Sequence, residues 1–354
     1  MMILRFNNKM PLFSLLVLHL LLLSGCGQPQ GPVFESPEAP LVWPGPPQTA
    51  RVRYVGEIST EEDLKKQVSF GQGLKNLIFG KEEIGVLVNP YAVTKDRQER
   101  LFVADTNSGV IQMFDLAKRE HLIFAEIDGD QSLITPVALT TIGNNVYVAD
   151  SRLKKICVFD KKGRFQFSFG QEQLKRPTGL AYNPSLDKLY VSDTTKHAIY
   201  VFDKEGIYLN TIGRRGRKAG TFNFPTHLCF DKNKLYVSDT LNYRIQILSA
   251  DGDYIDSFGK HGDSPGCFAH PSGIAVDSFG NIYVADRKFE NIQIFNPQGR
   301  ILMAVGREGT KPGQFWLPGG IFIDDENKIY VADSYNKRVQ VFELIEETLQ
   351  SQGL

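Results

Sequence analysis

The chain has 354 residues, 40 Lys and Arg against 40 Asp and Glu, 42% hydrophobic residues and 23% charged ones. That length suits one large domain or two ordinary ones, and the composition is ordinary for a globular protein. With no basic excess, the electrostatic footprint of a nucleic-acid-binding protein is excluded.

Residues 1–25 read as a signal peptide. Arg5 and Lys9 form a short basic region, and Pro11 to Leu23 is an apolar run of 13 residues. A membrane-spanning helix needs about 20 apolar residues, so the run fits a secretory signal better than a span. It ends in Leu23-Ser24-Gly25-Cys26. Small residues before a cysteine resemble the bacterial lipoprotein lipobox. The resemblance implies a lipid on Cys26, cleavage before it and acylation of the new amine, as by palmitate. Several acyl chains hold a protein on a membrane far more firmly than one. Residue 27 is Gly, whereas an Asp there marks inner-membrane retention in Gram-negative lipoproteins. The outer membrane is therefore the expected site in such a cell.

Removal of residues 1–25 takes away two basic charges and no acidic ones, leaving 38 against 40, a net charge of −2. Cys157, Cys229 and Cys267 remain. An odd number cannot all pair within one chain, and they are read as small buried hydrophobes.

Residues 26–50 read as a lipidated cysteine and a tether. From 27 to 50 there are seven prolines in 24 residues. Such a segment favours polyproline II and, free of the domain, would reach about 75 Å. Whether Val42-Trp43 docks on the domain is left open by the sequence. Arg51–Ile58 then reads as a strand. The following insertion, 59–88, opens on Thr60-Glu61-Glu62-Asp63, a helix start with acids in its first turn. Leu74, Leu77, Ile78 and Phe79 suggest a second short amphipathic helix.

From residue 88 the chain repeats. Six runs end in aspartate: Leu101–Asp105, Val146–Asp150, Leu189–Asp193, Leu235–Asp239, Ile282–Asp286 and Ile329–Asp333. Successive aspartates lie 45, 43, 46, 47 and 47 residues apart. A proline precedes each run: Pro90, Pro136, Pro177, Pro225, Pro271 and Pro318. An apolar run follows each, then a turn, and in five units a further apolar run. Each unit reads as four short strands, and a period of about 46 residues with four strands is the signature of a β-propeller blade. The last unit lacks its fourth strand, and Arg51–Ile58 has no other unit. Pairing the two closes the ring and removes its exposed edges. The expected fold is thus all-β, a six-bladed propeller over 51–344, with a tail at 345–354.

The units Pro271–Phe295 and Pro318–Phe342 resemble NHL repeats. The linkers 213–222, 259–268 and 306–315 share one glycine spacing and agree with this. The first three units lack the Asn-x-Arg triplet seen at Asn242-x-Arg244 and Asn336-x-Arg338. The whole chain resembles bacterial NHL-repeat lipoproteins, most of which have no assigned activity, and fold alone does not give function.

Chemistry is needed once, so a residue present in every blade serves the frame. The six aspartates are read as acceptors for backbone N–H groups in the turn that follows them. Function is sought where the repeats differ. In a propeller the turns after the aspartates and the linkers between blades share one face, around the channel mouth. Candidates there are Arg152, Lys154 and Lys155; His197; Arg287, Lys288 and Phe289; Tyr335; and the linker cluster Arg214, Arg215, Arg217 and Lys218. Together they suggest a patch for an acidic ligand or partner. His227, two residues after its proline, and His270, before the next, come near the channel. A zinc site needs three or four converging ligands, and these make two at most. No metal site, cofactor or Ser-His-Asp triad is assigned. The reading is a membrane-anchored binding or scaffold module of the cell envelope, with an unidentified envelope protein as its partner. The alternative is an envelope lyase or hydrolase with its site at the channel mouth near His227.

Overall fold

A computed structural model describes residues 31–65 and 85–345. The signal peptide, Cys26, the residues read as a second helix and the tail beyond 345 lie outside the described residues.

The repeats form six antiparallel sheets, and their first strands pack in a closed ring around a channel. The chain is a six-bladed β-propeller. Blade 1 comprises Pro90–Lys95, Arg100–Asp105, Val110–Asp115 and Glu120–Phe124, from the channel outwards. Blades 2 to 5 repeat this order from Pro136, Pro177, Pro225 and Pro271. Blade 6 has Pro318–Ile323, Lys328–Asp333 and Arg338–Leu344, and its fourth strand is Val52–Ile58. Val52 lies opposite Leu344 and Ile58 opposite Val339, so the ring closes through both ends of the chain as the missing strand requires. Tyr54 of the closing strand meets Phe342 edge to face at 5.6 Å.

The core is divided into layers between neighbouring blades. Phe114 and Val103 of blade 1 pack with Tyr330 and Val341 of blade 6, and Phe102 of blade 1 packs with Val146 and Phe159 of blade 2. The second strands are therefore covered on both faces, which is why they are apolar at consecutive positions instead of alternating. Each fully buried aromatic of this kind contributes about 1.5–3 kcal/mol.

Two differences from the expected layout stand out. The proline-rich segment is docked from residue 31 onwards. Val42–Trp43 adds a fifth strand to blade 6 beside Val52–Arg53, and Trp43 packs on Phe342 at 5.7 Å. Phe34 packs against the layer between blades 6 and 1, and Arg119 Nη2 donates to the Gly31 carbonyl at 2.9 Å. Apolar anchors between the prolines thus turn an expected spacer into cladding. The expected helix start at Thr60 is a single 3-10 turn, Glu61–Leu64, with the Asp63 carboxylate accepting from the N–H groups of Ser59 and Thr60.

The six aspartates are all fully buried. Their partners extend beyond the expected turn. Each accepts from the linker that brings the chain into its blade: Val88 and Asn89 on Asp105, Thr135 on Asp150, Arg176 on Asp193, Asn223 on Asp239, Ala269 on Asp286, Trp316 on Asp333. In blade 6 Asp333 also accepts from Asn336, Arg338 and Gln340, all at 2.8–2.9 Å. Arg338 Nη2 in turn donates to the carbonyls of Lys311 and Gln314, and Asn336 to that of Gly309. Asn242 and Arg244 do the same for Gly216, Lys218 and Thr221 in blade 4. The Asn-x-Arg triplet therefore belongs with the glycine-spaced linker: it supplies the donors for that linker's carbonyls. The first glycine of each such linker has its own cause. A Cβ on Gly213, Gly259 or Gly306 would lie 2.3–2.4 Å from the ring of Phe222, Phe268 or Phe315.

Candidate functional site: the end of the channel

The fasteners define what the fold requires at each position, so residues that break the repeat around the channel become visible. The second residue after the proline is Ala92, Ala138, Gly179, His227, Gly273 or Gly320. It must be small because the first strands crowd together: a Cβ on Gly179 would stand 2.2 Å from the Thr226 carbonyl, and one on Gly273 2.3 Å from that of Gly319. His227 is the exception, and its neighbours in the ring are those two glycines. A Cβ on Gly179 would come 3.0 Å from the His227 Cα.

The residue after each aspartate is Thr106, Ser151, Thr194, Thr240, Arg287 or Ser334. In blades 1, 3 and 4 this threonine donates to the proline carbonyl of the next blade, at 2.7, 2.8 and 2.9 Å. Arg287 replaces that fastener. The residue after the proline is small or β-branched except for Tyr91, and the residue before it is His270 in blade 5.

The three departures, Tyr91, His227 and Arg287, meet at one end of the channel with His270 beside them, and they come from blades 1, 4 and 5. The Tyr91 ring lies 5.6 Å from that of His227, and the Arg287 guanidinium carbon lies 5.3 Å from the Tyr91 ring centre. Blades 1 and 4 stand on opposite sides of the ring, so Tyr91 and His227 span it. His227 is buried, and neither ring nitrogen has a hydrogen-bond partner among the described residues. His270 Nδ1 and Arg287 Nη1 are likewise buried without a partner. Burial, then the Arg287 charge and His270, hold the His227 imidazole down to about 3, so it is neutral at ordinary pH. Burial and Arg287 lower His270 as well. Asp286, next to Arg287, is occupied by the backbone N–H groups of Ala269, His270, Lys288 and Phe289.

His227 also lines a cavity of about 530 Å³ along the channel, with Ala92, Ala138, Gly179 and Gly320 among its walls. Among the described residues no three His, Cys, Asp or Glu side chains stand together as a metal-binding set. Cys157, Cys229 and Cys267 are unpaired thiols, and burial pushes Cys157 and Cys229 up to about 12.

The other sequence candidates are placed elsewhere. His197 is buried on the blade 3 turn, in the left-handed conformation (φ 55°), where its Nδ1 accepts the Phe224 N–H at 3.1 Å and its ring packs on Phe224 at 4.5 Å. It steadies a linker. Arg214, Arg215, Arg217 and Lys218 are exposed side chains on a linker whose backbone is held by Asn242 and Arg244. Lys288 is exposed, and Phe289 is partly buried beside it. Lys155 is buried, whereas Arg152 and Lys154 are open to solvent. Tyr335 is half-exposed and faces Trp316, itself half-exposed, at 5.5 Å. Trp316 and Tyr91 are additions to the candidate set. The signal for both was available: each is aromatic at a position where no other unit is.

The chain is thus a six-bladed β-propeller in which Tyr91, His227 and Arg287 gather at one end of the channel. The family DUF5128, described as a 6-bladed beta-propeller, matches residues 182–234, 221–288 and 278–352. No curated protein matches the sequence. Among solved structures, a protein of unknown function from Bacteroides thetaiotaomicron VPI-5482 is similar at 15% identity and a TM-score of 0.60, over 74% of this chain and 70% of that one. An auxiliary nutrient binding protein from Bacteroides ovatus ATCC 8483 is similar at 14% identity and 0.57, over 74% and 71%. Virginiamycin B lyase from Staphylococcus aureus, as a catalytically inactive variant with quinupristin, is similar at 15% identity and 0.54, over 73% and 95%. At these identities the likeness is one of fold.

Proposed function

We propose that this protein is a binding module of the bacterial cell envelope, carried on a membrane by a lipidated Cys26, with its ligand-binding end where the channel meets the turn face. The observation that carries the reading is convergence: Tyr91, His227 and Arg287, which break the repeat, come with His270 from three blades to one point, and both ring nitrogens of His227, His270 Nδ1 and Arg287 Nη1 are buried without a hydrogen-bond partner among the described residues. Buried polar groups are ordinarily satisfied, and those left open are candidates for a ligand. Likeness to structures named as nutrient binding proteins supports a binding role.

The docked N-terminal segment adds an orientation. Gly31, five residues on from Cys26, is held by Arg119 at the third-to-fourth turn of blade 1. Five residues reach at most about 18 Å. The face carrying that turn would then lie towards the membrane, and the channel end with Arg287 would face away. In vesicles bearing the lipoprotein, an amine-reactive label should reach Lys288 and spare Lys118; equal labelling contradicts the orientation. Mass spectrometry of the mature N-terminus should show an acylated Cys26, and an unmodified one refutes the anchor.

The test of function is affinity capture from membranes with the intact lipoprotein, comparing the natural chain with the double variant His227→Ala, Arg287→Ser. A partner or solute retained by the first and lost from the second is expected. Identical captures from both would contradict this placement of the binding end.

The lyase or hydrolase reading draws support from one observation, the open nitrogens of His227. Against it stands the missing carboxylate: among the described residues of the cluster the charged group is the Arg287 guanidinium, and burial, then that charge, makes His227 a weak base.

A further inference from the structure

A guanidinium nitrogen buried without an acceptor destabilises the fold that holds it. Arg287 Nη1 is in that position although the residue as a whole is partly open to solvent, so this nitrogen points inward, towards Tyr91 and His227. The same residue stands where a threonine ties neighbouring blades in blades 1, 3 and 4. The Tyr91 ring meets the guanidinium on one side, but no hydrogen-bond acceptor for Nη1 stands among the described residues. The neutral His227 has one N–H donor and one acceptor nitrogen, both unused, and His270 Nδ1 is unused beside it.

We propose that Arg287, His227 and His270 bind the carboxylate of a small molecule, with Tyr91 as the apolar face of the site and the ligand's body lying in the channel cavity. This rests on the binding-module reading and names its ligand class. Charge selects the class. One guanidinium among neutral imidazoles offers a single positive charge, which matches one carboxylate; a metal cation would be repelled, and a dianion would leave a negative charge buried without a counterpart. Geometry agrees. A planar carboxylate takes paired N–H donors from a guanidinium and an imidazole. The small residues Ala92, Ala138, Gly179 and Gly320 wall the part beside His227 of a cavity of about 530 Å³, enough for the rest of a small molecule, and Asp231, Asp277, Asp324 and Asp325 line its other part, so the rest of the ligand carries no second anionic group.

The variants that test this are written in the repeat itself. Arg287→Ser restores the residue found in blades 2 and 6, and His227→Ala the one found in blades 1 and 2, so both retain a sequence the fold already accepts. The full lipidated chain in detergent, with ¹³C-labelled histidine, is titrated with sodium acetate at constant ionic strength, and the histidine ring resonances are followed. His227→Ala assigns the His227 signal. Saturable movement of the His227 and His270 signals is expected, with half-saturation below about 10 mM, the range of a single charge-assisted contact. Arg287→Ser should weaken it at least tenfold, and inorganic phosphate should bind at least tenfold less tightly than acetate. No saturable movement, an unchanged affinity in Arg287→Ser, or tighter binding of phosphate overturns the proposal. If partner capture is lost from the double variant while acetate does not bind the natural chain, the ligand class fails and the binding end stands. If acetate binds as expected and capture is the same for both chains, the reverse holds.

Discussion

Two sets of buried polar residues sit on the same face of this propeller, and they are built by opposite rules. The Asp333 carboxylate is fully engaged: Trp316 N–H, Asn336, Arg338 and Gln340 all reach it, and Arg338 continues to Glu57 of the closing strand at 2.8 Å. Around His227, no ring nitrogen is matched, and the Arg287 charge beside it is open. The buried aspartate with its linker N–H recurs in all six blades, and its Asn, Arg and Gln partners recur in blade 4, whereas the second set occurs once. A satisfied network specifies a structure, whereas an unsatisfied one costs stability and is retained where a ligand completes it.

The comparison can be broken in several ways. The largest effect is expected at the satisfied set. Asp333→Ala leaves the Arg338 guanidinium, the Asn336 and Gln340 amides and the Trp316 N–H without their shared acceptor, inside the blade that closes the ring. A loss of about 3–5 kcal/mol is expected in denaturant unfolding. A loss near zero would mean that the aspartates are not the frame's fasteners.

A smaller effect separates the two sets by pH. The His227 imidazole is held down to about 3 in the folded chain, against an unfolded value of about 6.5. Between those values the unfolded chain takes up a proton that the folded chain refuses. Stability from this group is therefore complete above pH 6.5 and is lost as pH falls, by at most about 1.4 kcal/mol per pH unit. His270 acts in the same direction. His227→Ala should lose less stability than the natural chain between pH 6.5 and pH 4. Parallel curves would show that His227 titrates normally and is not enclosed.

Much of this architecture was legible in the sequence because it repeats. Six prolines and six aspartates at one spacing gave the blades, and a missing fourth strand in the last unit pointed to Val52–Ile58. Asn336 and Arg338 were correctly assigned to the frame once Asn242 and Arg244 were set beside them, although their work on the linker carbonyls appears only in three dimensions. The site was legible in part. Arg287, His227 and Tyr91 each break the repeat, but the meeting of Tyr91 with His227 was hidden, because that contact crosses the ring between residues 136 positions apart. His197 also broke the repeat, yet it holds the Phe224 N–H. A departure identifies a candidate; only convergence with other departures makes a site. The docking of Trp43 and Phe34 was hidden by their proline-rich surroundings, whose composition describes a free chain and not its anchors.

The smallest expected effect on stability tests the central claim most directly. The double variant His227→Ala, Arg287→Ser replaces two departures with residues the repeat uses elsewhere, and its thermal midpoint can be compared with that of the natural chain without added ligand. If these residues serve a ligand and not the fold, the midpoint stays within the change expected for about 1 kcal/mol or rises, as substitutions that relieve a strained functional site commonly do. A fall comparable to that of Asp333→Ala would place His227 and Arg287 among the residues that hold the propeller together, and would contradict the account.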